Sequence, residues 1–287
     1  MAHIVLGLLA ILLLHYLWFY IRDMYRHRSD WGTGNWGINL LIGFLTNFMD
    51  TMGIGSFAPT TILLNVTKQL PNDKLLPGTL NAADCVPVML EAFIFIHVVQ
   101  VEAFTLLTLV IAAILGAKVG ARFVISLPEK RVQLYLGWAL IVTAGFMAGK
   151  QLGLMNFLGE GNTAVGLEGV KLVICFLGNF IFGALMTVGC GLYAPCMAMV
   201  YLMGLSPRVA FPVMMASCAA LMPVAANEFI VAGEYARKIS LGILLGGIGG
   251  VYLATKFIGG LNVTTLCWMI ITIVIYTGIS YVRKSRI

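Results

Sequence analysis

Apolar runs near twenty residues recur along this chain, at about 3–21, 38–64, 79–98, 102–125, 131–149, 170–203, 208–232, 239–258 and 262–282. Each is long enough to cross a hydrocarbon core of about 30 Å as a helix. Outer-membrane barrels show short alternating segments instead, and those are absent from the sequence. Only 10% of residues are charged, against 60% hydrophobic. A soluble domain carries about 25% charged residues, so the sequence predicts an all-α polytopic membrane protein. Its basic residues sit at segment ends, as in Arg22, Arg26 and Arg28 or Arg283, Lys284 and Arg286. They flank spans, and no soluble face is left to bind nucleic acid. The first run begins "MAHIVLG", without Lys or Arg, and ends in "YIRDMYRHR", which reads as a retained helix rather than a cleaved signal.

The chain reads as a duplication. Displaced by 136 positions, residues 41–94 find 13 identities downstream. Gly53, Gly55, Ala58 and Pro59 fall on Gly189, Gly191, Ala194 and Pro195, while Pro71 and Pro87 fall on Pro207 and Pro223. Glycine and proline at matched spacing fix backbone shape. The expected organisation is an extra N-terminal helix and basic loop (1–37), a first four-helix repeat (38–149), a loop (150–169) and a second four-helix repeat (170–287). An even number of spans per repeat predicts two parallel repeats with broken helices, about nine spans in all. The basic "YVRKSRI" abutting the last span predicts a cytoplasmic C-terminus.

The breaks themselves are "MGIGSFAP" and "VGCGLYAP". Glycines followed by proline interrupt a helix and start a new one. Irregular backbone survives at membrane depth only where protein or a water-filled cavity satisfies it. Paired breaks in two halves therefore point to a transport site. A half-helix starting near Pro59 would expose the N–H groups of Ser56, Phe57 and Ala58. One starting near Pro195 would expose those of Leu192, Tyr193 and Ala194. Such ends favour an anion. Gly53, Gly55, Ser56, Phe57, Pro59, Gly189, Cys190, Gly191, Tyr193 and Pro195 are the candidate substrate contacts, with Thr79, Asn81, Ser217 and Asn227 lining the same cavity. Close helix packing is the competing explanation for the glycines.

Asp50, Asp84, Glu91 and Glu228 lie within or beside spans. Acids there are costly and functional by default, and these four are candidates for proton coupling. Asp84 and Glu91, seven apart, share a helix face. The six cysteines form no CxxC pair, so no disulfide framework or metal site is expected. Histidines show no H-E-x-x-H spacing, and neither G-x-S-x-G nor a nucleotide-binding G-x-x-x-x-G-K-[ST] loop occurs. Neither an enzyme nor an ATP-driven pump is expected, and no cofactor.

Gly53, Gly55 and Pro59, then Gly78, Thr79 and Pro87, then Leu127 with Pro128, with Gly189, Gly191, Pro195 and Pro223 in the second half, resemble the sulfite exporter TauE/SafE family of membrane permeases. The resemblance covers about 38–283. The glycine triplet of that family is reduced here to "GIGS" and "GCGL", and its "GTS" reads "GTL". The resemblance implies a secondary transporter of a small anion, such as sulfite, a sulfonate or an organic anion, across the cytoplasmic membrane by alternating access. An anion channel or a membrane assembly factor is the alternative. The expected partners are the anionic substrate and the bilayer; the oligomeric state is not legible.

Overall fold

The computed structural model describes residues 2–123, 129–152, 162–186, 192–259 and 262–286. Within them are eleven α-helices and no named strand. In chain order they are α1 (Ala2–Arg26), α2 (Trp36–Thr51), α3 (Phe57–Val66), α4 (Leu76–Val98), α5 (Ala103–Phe123), α6 (Glu129–Gln151), α7 (Gly169–Met186), α8 (Tyr193–Leu202), α9 (Pro207–Ala232), α10 (Arg237–Gly259) and α11 (Val263–Arg286). Five of them, α1, α4, α7, α9 and α10, are long and apolar enough to cross a membrane. Large apolar side chains such as Ile11, Leu14 and Trp18 of α1 are exposed, a surface suited to lipid rather than water. A polytopic α-helical membrane protein is what the sequence predicts, and the described residues agree with it.

The chain divides into two compact units, one of residues 3–96 and 218–260, the other of 1–2, 97–217 and 261–287. In the first unit, α3 does not continue the direction of α2. The Asn35 N–H, at the N-cap of α2, donates to Gln69 Oε1 just beyond α3 at 2.7 Å. Ile42 and Leu64 share one buried apolar cluster, and Ser56 N–H meets Asp50 at the far end. Residues 35–69 are therefore an antiparallel hairpin, and 38–64 is not the single broken crossing expected from its length. The reason lies in the backbone at the tip. Gly53 N–H donates to Asp50 O at 2.7 Å and Ile54 N–H to Met49 O at 3.1 Å, the paired bonds of a Schellman helix end. Gly53 has φ +95° and Gly55 φ +88°, a conformation that glycine adopts without strain. Two left-handed residues in a run of three turn the chain back.

α10 packs along α2 in the same direction. A Cβ added at Gly246 would overlap the Leu40 carbonyl oxygen, and one at Gly250 the Phe44 carbonyl oxygen. Small residues four apart let two backbones touch, which is how helices associate where lipid removes the hydrophobic drive. The extra helix α1 is fastened to this unit by its polar groups. Tyr16 Oη donates to the Ala82 carbonyl of α4 at 2.6 Å, and Tyr20 and Ser240 hydroxyls lie 3.0 Å apart. At its end, Asp23 receives Arg237 Nε at 2.7 Å and Tyr235 Oη at 2.6 Å.

In the other unit, α8 likewise runs back along α7. A Cβ at Gly178 would overlap Met199 Sδ, and one at Gly204 would lie 3.7 Å from Lys171 Nζ. The expected span at 170–203 is again two helices with opposed directions; residues 187–191 between them fall outside the described residues. α5 lies along α7, with Gly116 against Phe180 O and Gly183 against Ala113 O. α6 and α11 cross closely: Cβ atoms on Gly137 and Gly278 would come within 3 Å of each other's carbonyl oxygens.

Candidate functional site

Polar residues on α2 recur at Asn39, Thr46, Asn47, Asp50 and Thr51, all buried. That spacing puts them on one face of the helix. α4 presents Asp84 and Glu91, each fully buried, on a face of its own. The two faces meet. Asn47 Nδ2 donates to Asp84 Oδ1 at 3.1 Å and also to Gly43 O at 3.1 Å. One turn on, the Thr51 hydroxyl reaches Glu91 Oε1 at 2.7 Å and the Asn47 carbonyl at 2.8 Å.

The hairpin tip closes the cluster. Asp50 Oδ1 accepts the Ser56 N–H at 2.7 Å, and the Ser56 side chain interacts with the Asp84 carboxyl. The Ser56 amide, expected to face a bound anion, is thus taken by the protein's own carboxylate. A negative side chain at the start of a helix satisfies an orphan N–H and the helix dipole at once. Phe57 and Pro59 are the first and third residues of α3, and both are half-buried. Several buried oxygens in this unit have no hydrogen-bond partner: Asn47 Oδ1, Thr60 Oγ1, Asp84 Oδ2 and Asn39 Oδ1.

The remaining candidates separate. Thr79 Oγ1 donates to Leu75 O at 2.7 Å and accepts the Ala236 N–H at 2.9 Å. It ties the start of α4 to the start of α10. Asn81 Nδ2 donates back to Pro77 O at 2.9 Å. Asn227 is buried, with Nδ2 at 2.9 Å from His15 Nδ1 of α1. Glu228 beside it is exposed and is not brought to the acidic cluster. In the other unit, Ser217 Oγ accepts Asn179 Nδ2 at 2.9 Å, and the same amide donates to Leu109 O at 2.7 Å. Tyr193 and Pro195 are buried in the first turn of α8. Gly189, Cys190 and Gly191 lie outside the described residues, as do Leu127 and Pro128.

Asn47, Thr60 and Asn179 were not singled out in the sequence. A signal for Asn47 existed: within an apolar helix, positions 39, 46, 47 and 50 are polar at helical spacing. Among the described residues no group of three His, Cys, Asp or Glu is placed to hold a metal ion. Burial and its bond to Asp23 raise the proton affinity of the Tyr235 phenol, in the turn before α10, so it acts as a donor to that carboxylate.

Neither the curated proteins nor the solved structures contain a match to the chain. A family model does match, the one described as sulfite exporter TauE/SafE, over residues 1–147 and again over 78–281. These matches reach from the first helix into the last, and with the apolar helices they make the protein a transmembrane permease: the chain belongs to the sulfite exporter TauE/SafE family.

Proposed function

We propose that the protein is a secondary transporter that carries a small sulfur-containing anion, in the class of sulfite, a sulfonate or a related oxyanion, across the cytoplasmic membrane by alternating access. The observation that carries this reading is the α2–α3 hairpin. A segment that enters and returns, with a buried polar tip, is tolerated at membrane depth only inside protein or around a cavity.

The repeats are inverted in this reading. α3 and α8 begin at Phe57 and Tyr193 and end at Val66 and Leu202, a constant displacement that matches the glycine and proline identities. Each repeat is then one re-entrant hairpin followed by three crossings, an odd number, so the second repeat enters from the opposite side. This reading replaces two parallel repeats and about nine spans with inverted repeats and seven full crossings, α1 included. Inverted repeats supply two access states of one scaffold, related by exchange of roles.

Within the duplicated plan the two hairpins differ in charge. Asp50, Asp84 and Glu91 of the first correspond to Met186, Ala220 and Asn227 of the second. An anion is repelled by the first tip and admitted by the second. We place it at the start of α8, by the N–H groups of Leu192, Tyr193 and Ala194, and keep Gly189, Cys190 and Gly191 as substrate contacts. Ser217 accepts from Asn179 and so keeps a hydroxyl proton to donate. The carboxyls of Asp50, Asp84 and Glu91 handle the coupling cation, a proton in the simplest case. The basic end "YVRKSRI" faces the cytoplasm.

The test is uptake into proteoliposomes holding the purified protein, with labelled sulfite, thiosulfate, a sulfonate and an organic acid in parallel. Saturable uptake of a sulfur anion is the expected result. The absence of saturable flux for every one of them, in both directions, would overturn the reading.

A further inference from the structure

We propose that Asp84, Asn47 and Thr60 form a sodium site at the first hairpin. The proposal deepens the coupling half of the proposed function and names its ion. Three side chains on three helices contribute. Asn47 of α2 and Asp84 of α4 are joined by the 3.1 Å bond between Asn47 Nδ2 and Asp84 Oδ1. Their other oxygens, Asn47 Oδ1 and Asp84 Oδ2, are buried and have no hydrogen-bond partner. Thr60 Oγ1 of α3, fully buried and also without a partner, stands one helical turn beyond Ser56, whose side chain interacts with Asp84.

The number and type of these oxygens select the ion. An unmet buried polar atom costs about 1–3 kcal/mol, so leaving three of them on α2, α3 and α4 is expensive. A proton would satisfy the carboxyl alone, because an amide oxygen is not protonated near neutral pH. A hard cation satisfies carboxylate, amide and hydroxyl oxygens at once. Pro87, one turn after Asp84 in α4, has no N–H to give the Ala83 carbonyl, which adds a backbone oxygen on the same helix. Asp50 and Glu91 are engaged with Ser56 N–H and Thr51, so Asp84 is the one carboxylate of this ligand set. One carboxylate among neutral oxygens suits a monovalent cation rather than a divalent one, which draws more charged ligands. The second repeat keeps Pro223 for Pro87 but has Gly183, Cys196 and Ala220 for Asn47, Thr60 and Asp84. The site therefore occurs once per chain.

The experiment is equilibrium binding of radioactive sodium to the purified full-length protein, without any anion substrate, at constant pH and with choline as the replacing cation. Saturable binding is expected in the wild type. Asp84→Asn, which keeps size and shape, should weaken it about a hundredfold or more. Thr60→Val should weaken it several-fold, and Thr60→Ser should restore it. No saturable binding in the wild type, or equal binding in Asp84→Asn, would overturn the site. The readout does not depend on anion flux. No sodium binding in a wild type that still takes up sulfite, driven by a pH gradient alone, would sink this inference and leave the transporter reading standing. Sodium binding without uptake of any anion would do the reverse.

Discussion

The Asn35 N–H donates to Gln69 Oε1 at 2.7 Å, although two helices and a reversal lie between these residues. The bond brings the end of α3 back beside the start of α2. α2, at 16 residues, is about 24 Å long, shorter than a hydrocarbon core of about 30 Å.

Asp30 and Asn72, in the loops at the two ends of this hairpin, should therefore face the same compartment. Single cysteines at these positions, in a protein stripped of its native cysteines, should both be labelled by an impermeant thiol reagent from one face only. Labelling from opposite faces would restore the single broken crossing.

The close approach of α10 to α2 should be sensitive to one methyl group. Gly246→Ala places a Cβ on the Leu40 carbonyl oxygen, and the helices must separate. The expected loss is about 1–3 kcal/mol or more, read as a lower unfolding temperature in detergent. Gly7→Ala, with nothing within 4 Å, should cause no loss. Equal behaviour of the two variants would contradict the packing.

The hairpin tip should depend on Asp50. Asp50→Ala strips the Ser56 N–H of its acceptor and should cost about 1.5–3 kcal/mol, the range for a hydrogen bond to a charged group. Asp50→Asn keeps an oxygen there and should cost less. Thermal unfolding of both variants beside the wild type decides it.

Tyr235→Phe removes the phenol that donates to Asp23 and should also cost about 1.5–3 kcal/mol. The pH dependence has a fixed sign. The folded phenol holds its proton more tightly than the unfolded one. Its contribution is fully present below the unfolded value of about 10 and is lost as pH rises beyond it. The stability gap between wild type and variant should be constant near neutrality and narrow above about pH 10. A gap that widens there would contradict the buried donor.

The sequence carried the positions of the breaks but not the direction of the chain through them. Gly53, Gly55 and Pro59 are compatible with a kinked crossing and with a reversal. What decides is the left-handed backbone at both glycines and a side chain, Gln69, that reaches Asn35 from outside the motif. In the proposed reading, taking that one segment as a hairpin changes the parity of each repeat, and with it parallel into inverted. The acids were legible because carboxylates are rare in apolar spans. Their partners were harder to see, since Asn47 and Thr51 become informative only once α2 and α4 are known to be neighbours. Ser56 misled for a related reason: its amide is free in an isolated half-helix, and Asp50 lies six residues back, across a turn whose shape the sequence leaves open.

Counterflow of sulfite tests the transporter reading most directly. Proteoliposomes holding the purified protein are loaded with unlabelled sulfite and diluted into a trace of labelled sulfite with no ion gradient. A carrier exchanges its substrate through alternating access, so the label should accumulate transiently inside and then decline. That accumulation should vanish when the liposomes start empty. A label that only equilibrates, whatever the internal sulfite, would contradict alternating access for sulfite and favour a channel.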